Sequence, residues 1–217
     1  MFRVDGPVVQ GAIKFAKVLY AHVLALFFCI PIITVGAALT ALEYTLLKIS
    51  REEDGSIASD YFRSFKENFK QGTVLWLVYF IVISLVLFDI YFFMQKDLGF
   101  NVFMMYALYI IGILLLLNMT WGFVLLSRYN NSGMKTLRYA FRISLAYFGH
   151  TLLMLALVVI PVYLALQNMQ VAPYIIVLGV TLSGFCRPKL YGTVFDKIEI
   201  ANLNNIQAEK ETEEERL

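Results

Sequence analysis

Charged residues are scarce in this chain of 217 residues, since Asp, Glu, Lys and Arg make up only 16% of it. Soluble domains contain about 25% charged residues. Charge is absent altogether from residues 18–42, 100–127 and 143–186, while apolar residues reach 59% of the whole. Because a membrane-spanning helix needs about 20 apolar residues, these stretches predict several spans and exclude an ordinary soluble domain.

Residues that carry chemistry are equally few. The two cysteines, Cys29 and Cys186, lie in apolar stretches, which excludes a disulfide framework. The two histidines, His22 and His150, have no neighbouring acid, and no HExxH motif, paired CxxC motif or glycine-rich phosphate loop is present. We therefore expect no enzyme activity, no metal and no cofactor. The net charge of +2 and the position of the cations beside apolar segments exclude a nucleic-acid partner.

Five apolar segments alternate with polar connections, and they predict an all-α, polytopic transmembrane bundle of about five spans. We expect a single membrane domain over residues 1–201. An acidic tail over 202–217 is predicted to be disordered. The predicted spans are 18–47, 73–95, 100–127, 144–166 and 174–191.

The first segment is too long for one straight span and contains a break at residues 31–36. Pro31 removes a backbone donor, Thr34 offers a hydroxyl to freed carbonyls, and Gly36 leaves room for close packing. Two structures fit this pattern. Either one long helix kinks and the N-terminus is external, or the chain doubles back at Pro31 and the N-terminus is internal.

Two basic, amphipathic stretches precede predicted hairpins of two spans each. Both are candidates for lipid or partner docking. The two stretches align without a gap, with Phe65-Lys66 on Phe141-Arg142, which leaves an internal repeat and generic membrane-insertion signals as open alternatives. The candidate docking residues are Phe62, Arg63, Phe65, Lys66, Asn68, Phe69 and Lys70 in the first stretch and Arg138, Phe141 and Arg142 in the second.

The basic residues also predict an orientation. Three basic regions, over 48–72, 128–142 and from residue 187 onward, are expected on the cytoplasmic side by the positive-inside rule. The connections around Lys96 and over 167–173 carry one cation or none and are expected outside. The C-terminus is therefore predicted to be cytoplasmic.

Strongly polar groups inside apolar segments are functional candidates because their burial in lipid is costly. We single out Glu43, Asn118 and Trp121 as a candidate intramembrane polar site. Asn118 stands near mid-span, so its amide is expected to bond another helix, for example through Thr120 or Ser183. His22, Asp89 and His150 are the other polar groups of this kind.

With these features, the sequence resembles the YesL family, also called DUF624, of small bacterial multi-pass membrane proteins. The resemblance rests on Pro31-x-x-Thr34-x-Gly36 within 26–42, on the motif Phe65-Lys66-x-Asn68-Phe69-Lys70 within 60–71, and on residues 127–129, 137 and 140. It extends over most of the chain. His22 departs from it, because an asparagine followed by a tryptophan is common in that stretch.

The resemblance implies a bacterial cytoplasmic membrane protein associated with sugar import systems of the ABC type in Gram-positive bacteria. We therefore expect an accessory protein of a carbohydrate importer, with the lipid bilayer and permease or ATPase subunits as partners. A small transporter or channel in its own right is the alternative, with a path near Pro31, Asn118 and Trp121. A membrane sensor or scaffold is a third possibility.

Overall fold

A computed structural model of the chain describes residues 6–95, 101–129 and 133–214. These residues form seven α-helices, one 3₁₀ turn at Ile32–Thr34 and no strand, which confirms the all-α class. The helices are α1 (Pro7–Cys29), α2 (Val35–Arg51), α3 (Ile57–Met94), α4 (Asn101–Arg128), α5 (Gly133–Ala146), α6 (Phe148–Gln167) and α7 (Ala172–Glu214).

Five helical stretches in the described part of the chain are long and apolar enough to cross a membrane. Besides the earlier start of the stretch in α3, they differ from the five predicted segments in two places. The predicted segment 18–47 is divided between α1 and α2, and each of these is long enough on its own. The predicted segment 174–191 lies in α7, where the uncharged stretch ends at Cys186 and falls short of about 20 residues. The five stretches are Val8–Cys29, Ile32–Arg51, Ile57–Met94, Val102–Arg128 and Phe148–Gln167.

The chain reverses direction at Pro31, so α1 and α2 form an antiparallel hairpin. Two ion pairs join the first half of α1 to the loop after α2: Lys14 to Glu52 at 3.4 Å and Lys17 to Asp54 at 2.5 Å. Of the two structures that the sequence allowed, the chain adopts the one that doubles back. The beginning of α1 and the end of α2 therefore lie at the same end of the bundle.

The first basic stretch is not a separate helix, because α3 runs without a break from Ile57 to Met94. Gly72 is the only strong helix breaker in this range, and a single glycine costs about 1 kcal/mol, too little to end a helix that is packed on α2. The second basic stretch does form its own helix, α5. A bend at Tyr147, with φ −113° and ψ 47°, separates it from α6.

The end of α7 also differs from the prediction, because its backbone is helical through Glu214 where the sequence predicted a disordered tail. Residues 207–214 consist mainly of Gln, Ala, Glu and Lys, which favour helix strongly enough to extend it. The predicted connection around Lys96 lies outside the described residues.

Ion pairs gather at the end of the bundle where α2 ends and α3 begins, and we call this the basic end. Lys48 binds Asp60 on α3, at 2.8 Å. Helix α7 forms two ion pairs there, because Asp196 binds Arg51 of α2 and Glu199 binds Arg128 of α4. The charges of this end therefore tie α2, α3, α4 and α7 together.

Three apolar clusters fill the interior. The first joins α2, α4, α5, α6 and α7 around Trp121, Tyr191 and Phe195. The second packs α1 against α2 and the start of α3. The third lies between α3 and α4 around Tyr79 and Phe123. By contrast, most large apolar side chains on the second half of α3, on the first half of α4 and on α6 are exposed, as expected of lipid-facing surfaces.

Candidate functional site

The break after α1 is built from the residues that the sequence singled out. Pro31 lies between Cys29, where α1 ends, and the 3₁₀ turn. The Thr34 hydroxyl lies 2.5 Å from the Phe28 carbonyl and 2.8 Å from the Pro31 carbonyl, within donating distance of both. The Pro31 carbonyl also accepts from the Thr34 backbone amide at 3.0 Å, whereas the Phe28 carbonyl belongs to the last turn of α1. The hydroxyl therefore satisfies a helix-end carbonyl that lipid would leave unpaired.

Gly36 places α2 directly on the backbone of α3. A Cβ atom at this position would lie 2.6 Å from the Trp76 Cβ and still closer to the Gly72 carbonyl. A Cβ atom at Gly72 would in turn lie 2.9 Å from the Ala37 backbone. Only glycine on both helices permits this crossing, as in the small-residue contacts of membrane helices.

A buried ion pair joins α2 to α7 inside the bundle. A Glu43 carboxylate oxygen lies 2.7 Å from the guanidinium of Arg187, and the two side chains are only 6% and 17% exposed. The Tyr191 hydroxyl donates to the Glu43 carbonyl at 3.1 Å. Removing two charges from water is expensive, so a pair at this depth needs both partners in place.

His22 of α1 completes this cluster. Its Nδ1 atom donates to the Val18 carbonyl at 2.8 Å, and its imidazole lies against Gly184 of α7, three residues before Arg187. Gly184 allows the approach, because a Cβ atom there would lie 2.6 Å from the imidazole. Buried polar side chains of α1, α2 and α7 thus lie in the same region of the bundle.

Two atoms of the Glu43–Arg187 pair remain without a hydrogen bond in the described part of the chain. They are Glu43 Oε2 and Arg187 Nε, and both are buried. The arrangement therefore holds α2 and α7 together and keeps one acceptor and one donor unused. It offers no nucleophile next to a base, so its chemistry is electrostatic pairing.

Asn118 bonds neither of the two residues that the sequence suggested. Its side-chain oxygen accepts a hydrogen bond from the Tyr79 hydroxyl of α3, and its amide donates to the Leu137 carbonyl of α5 at 3.0 Å. Thr120 and Ser183 instead bond carbonyls of their own helices. The suggested partners were wrong because helix depth alone does not determine which faces meet.

Trp121 is fully buried, and its indole nitrogen donates to the Thr151 hydroxyl of α6 at 2.8 Å. The Trp121 ring also contacts Phe195, whose own ring packs on Tyr191. Glu43, Asn118 and Trp121 therefore do not face a common space. Each makes its polar contact with a different helix, and only the aromatic cluster connects Trp121 to Tyr191 beside Glu43.

The first basic stretch is largely engaged within the molecule. Phe65 packs on Phe28 with ring centroids 4.9 Å apart. Arg63 binds the Tyr44 hydroxyl, and the Asn68 amide donates to the Ser64 carbonyl at 3.0 Å. The exposed residues of this stretch are Phe62, Arg63, Lys66, Glu67, Phe69 and Lys70.

The second basic stretch presents its aromatic and basic side chains to the outside. On α5, the small residues Thr136, Ala140 and Ser144 face the bundle and are buried. The exposed residues include Lys135, Arg138, Phe141 and Arg142. Helix α5 contains no acidic residue, and its three cations form no ion pair with any described side chain.

Sequence reasoning missed Arg187, Tyr79 and Thr151, each of which supplies a buried polar contact. Arg187 carried a usable signal, since it directly follows the long uncharged stretch 143–186 and could therefore seek a buried acid. Tyr79 and Thr151 gave no comparable signal in the sequence. Tyr and Thr are ordinary residues of apolar helices, and their partners come from distant parts of the chain.

Comparison with known families adds one finding. Residues 16–90 match the model of the family described as "Protein of unknown function, DUF624", which supports the DUF624 resemblance over α1, α2 and most of α3. The match stops short of α4, although the resemblance was expected to extend over most of the chain. No curated protein and no solved structure matches the chain.

Proposed function

We propose that this chain is a non-enzymatic, multi-pass protein of the bacterial cytoplasmic membrane that acts as an accessory subunit of an ABC-type carbohydrate importer. The link to carbohydrate uptake comes from the family resemblance stated from the sequence, while the matched family model over residues 16–90 is itself described as one of unknown function. The structural observation that carries a docking role is the exposed face of α5, where three unpaired cations stand among aromatic side chains.

Five other cations of the basic end are already paired. Lys14, Lys17, Lys48, Arg51 and Arg128 all bind acids of the chain itself. The cations of α5, like the exposed Lys66 and Lys70 of α3, form no ion pair with a described side chain and remain available to the acidic groups of a partner, which is the usual arrangement of complementary charge at an interface. By the positive-inside rule the basic end, with the start of α1, faces the cytoplasm, where importer ATPase subunits are located.

The alternative, a transporter in its own right, needs polar groups that line a path across the membrane. Asn118 and Trp121 are instead buried and hydrogen-bonded to protein groups on α3, α5 and α6. A sensor or scaffold would use the same exposed surface. It differs in its effect, because deletion would change sugar-gene transcription without changing sugar uptake.

Co-purification in mild detergent tests the proposal. Tagged protein from native membranes is expected to retain permease or ATPase subunits of a sugar importer. The double substitution Arg138→Glu with Arg142→Glu is expected to lower their recovery about tenfold, because attraction at the contact becomes repulsion. Lys197→Glu, which reverses an exposed and unpaired cation on α7, is the matched control. Recovery of no importer subunit would contradict the proposal.

A further inference from the structure

The boundary of the membrane-embedded part can be located along α3. Arg63, Lys66 and Lys70 of its first half are exposed, and exposed charges at this level would be costly in hydrocarbon. From residue 71 to residue 88 the helix carries no charge. This uncharged run is about 27 Å long, which matches a hydrocarbon layer of about 30 Å. The hydrocarbon therefore begins near residue 71, and the earlier turns of α3 lie among headgroups or in water.

The α1–α2 hairpin packs against the charged half of α3. Lys48, near the end of α2, binds Asp60 at 2.8 Å. Gly36, near the start of α2, packs closely on Gly72 and Trp76. Trp76 lies about 8 Å into the uncharged run. Helix α2 therefore begins just inside the hydrocarbon boundary and runs away from the membrane interior.

Helix α1 occupies the same range of depth. Its last turn contains Phe28, whose ring packs on Phe62 and Phe65 with centroids 5.3 and 4.9 Å away. Its first half contains Lys17, which binds Asp54 in the loop after α2. Both helices of the hairpin are long and apolar enough to cross a membrane, yet they lie beside the turns of α3 that carry its charges.

Large apolar side chains are exposed where the hairpin reverses, and we call this surface the apolar tip. No residue from 18 to 42 is charged, so the tip has no ionic group to hold it in water. It lies where α3 enters the hydrocarbon, and amphipathic elements at this depth bury their apolar face about 5–10 Å into the acyl boundary. Lys66 and Lys70 on the neighbouring turns of α3 suit the anionic headgroups that border the acyl chains. The apolar tip consists of Leu26, Phe27, Ile30, Ile32 and Ile33, which are 60–73% exposed.

We propose that the α1–α2 hairpin does not cross the membrane and that its apolar tip is embedded in the acyl chains of one leaflet only. The leaflet is the one at the basic end, which the positive-inside rule assigns to the cytoplasmic side. Crossing of the bilayer is left to the hairpins α3–α4 and α6–α7. This inference goes beyond the proposed function, because it concerns the lipid that the hairpin contacts and not the protein that the chain serves.

Cysteine labelling shows whether the hairpin crosses. In a variant without Cys29 and Cys186, the probe is Ile32→Cys, at a position that is 64% exposed where the chain reverses. The controls are Met169→Cys in intact cells and Lys66→Cys in inverted vesicles. With a membrane-impermeant maleimide, position 32 is expected to react about tenfold more slowly than either control, because the acyl chains cover it.

A fast reaction at position 32 would overturn the inference from either side. Reaction in intact cells at the rate of position 169 would show that the hairpin crosses the bilayer. Reaction in inverted vesicles at the rate of position 66 would show that the tip lies in water.

Spin labels along α1 show what covers the tip. The purified protein is reconstituted in vesicles of phosphatidylethanolamine and phosphatidylglycerol, and the ratio of label collisions with oxygen to those with a water-soluble nickel complex measures depth. We expect this ratio to rise from position 15 to position 30. It should stay below the ratio at Ile81, an exposed residue of α3 about 15 Å into the uncharged run. The labelled positions, all exposed, are those of Phe15, Tyr20, Val23, Phe27 and Ile30.

Three other profiles would contradict the inference. A crossing helix would give its highest ratio near the middle of α1 and low ratios at both ends. A tip at the bilayer centre would give equal ratios at positions 30 and 81. Low collision rates with both reagents at positions 27 and 30 would show that protein, such as a second copy of the chain, covers the tip. None of these results bears on the importer role, which co-purification tests separately.

Discussion

Glu43 and Arg187 illustrate how single residues hold this bundle together. The two side chains come from α2 and α7, both are largely buried, and the Tyr191 hydroxyl donates to the Glu43 carbonyl beside them. Glu43 could be singled out from the sequence as a polar group in an apolar segment. Arg187 also carried a signal, but its pairing with Glu43 could not be predicted, because pairing across 144 positions depends on which helix faces meet, and an apolar pattern does not encode that.

Removing one member of this pair should cost more than removing both. Glu43→Leu leaves the Arg187 guanidinium buried without a counter-charge, so we expect a loss of about 3 kcal/mol in unfolding free energy. The double substitution Glu43→Leu with Arg187→Met should recover most of that loss. Thermal or denaturant unfolding in detergent measures both. Equal losses in the single and double variants would contradict the assigned pairing.

A second residue-scale prediction concerns the crossing of α2 and α3. Gly72→Ala introduces a Cβ atom 2.9 Å from the Ala37 backbone, where a backbone atom has to move. We expect a loss of about 1–3 kcal/mol, typical of overpacking.

Gly11→Ala is its control, since its Cβ atom meets no atom within 4 Å. This control is expected to raise stability slightly, because alanine favours helix over glycine. The measurement compares the melting temperatures of Gly72→Ala and Gly11→Ala. Similar values for the two variants would show that α2 and α3 do not cross at Gly72.

At the scale of elements, the apolar pattern of the sequence predicted the helices, and the chemistry of proline predicted the break at Pro31. Not all of the helix ends could be predicted in this way. The sequence placed a boundary between the basic stretch and the span near residue 72, whereas α3 continues through it because α2 packs on the crossing point. The contact faces of α4 were also hidden, since α4 is apolar on all sides and its inward face is set by Asn118, Trp121 and their partners.

Asn118 should be the main polar link from α4 to its neighbours. Asn118→Leu removes the acceptor of the Tyr79 hydroxyl and the donor to the Leu137 carbonyl, so we expect a loss of about 1–3 kcal/mol. Hydrogen exchange of α5 amides should rise in this variant. Thr120→Val, which removes a bond within α4 itself, should leave α5 unaffected. Unchanged exchange in α5 would argue against the link.

At the scale of the whole molecule, the ion pairs bring the first half of α1 and the later part of α7 to the same end. The sequence predicted the side of the C-terminal region but left that of the N-terminus open. The reversal at Pro31 shows that the N-terminal and C-terminal regions lie at the same end of the bundle. That this end faces the cytoplasm is a prediction from the positive-inside rule.

Cysteine labelling of intact cells and of inverted vesicles checks this topology. In a variant without Cys29 and Cys186, cysteines introduced at Val8 and Lys197 should react with a membrane-impermeant maleimide only in inverted vesicles. A cysteine at Met169, which is 85% exposed in the loop between α6 and α7, should react only in intact cells. Labelling of position 8 from outside the cell would contradict the antiparallel arrangement of α1 and α2.

The crossing at Gly72 also has a consequence for the surrounding bilayer. Gly36 meets α3 near its middle, so the tip of the α1–α2 hairpin ends there, and about 33 Å of α3 continues beyond it. At the basic end α1, α2 and α5 add to the cross-section, while at the opposite end only the two hairpins remain. The length of α3 beyond the crossing therefore matches the hydrocarbon thickness of about 30 Å, so this part of α3 can span the membrane with α4 but without the N-terminal hairpin beside it.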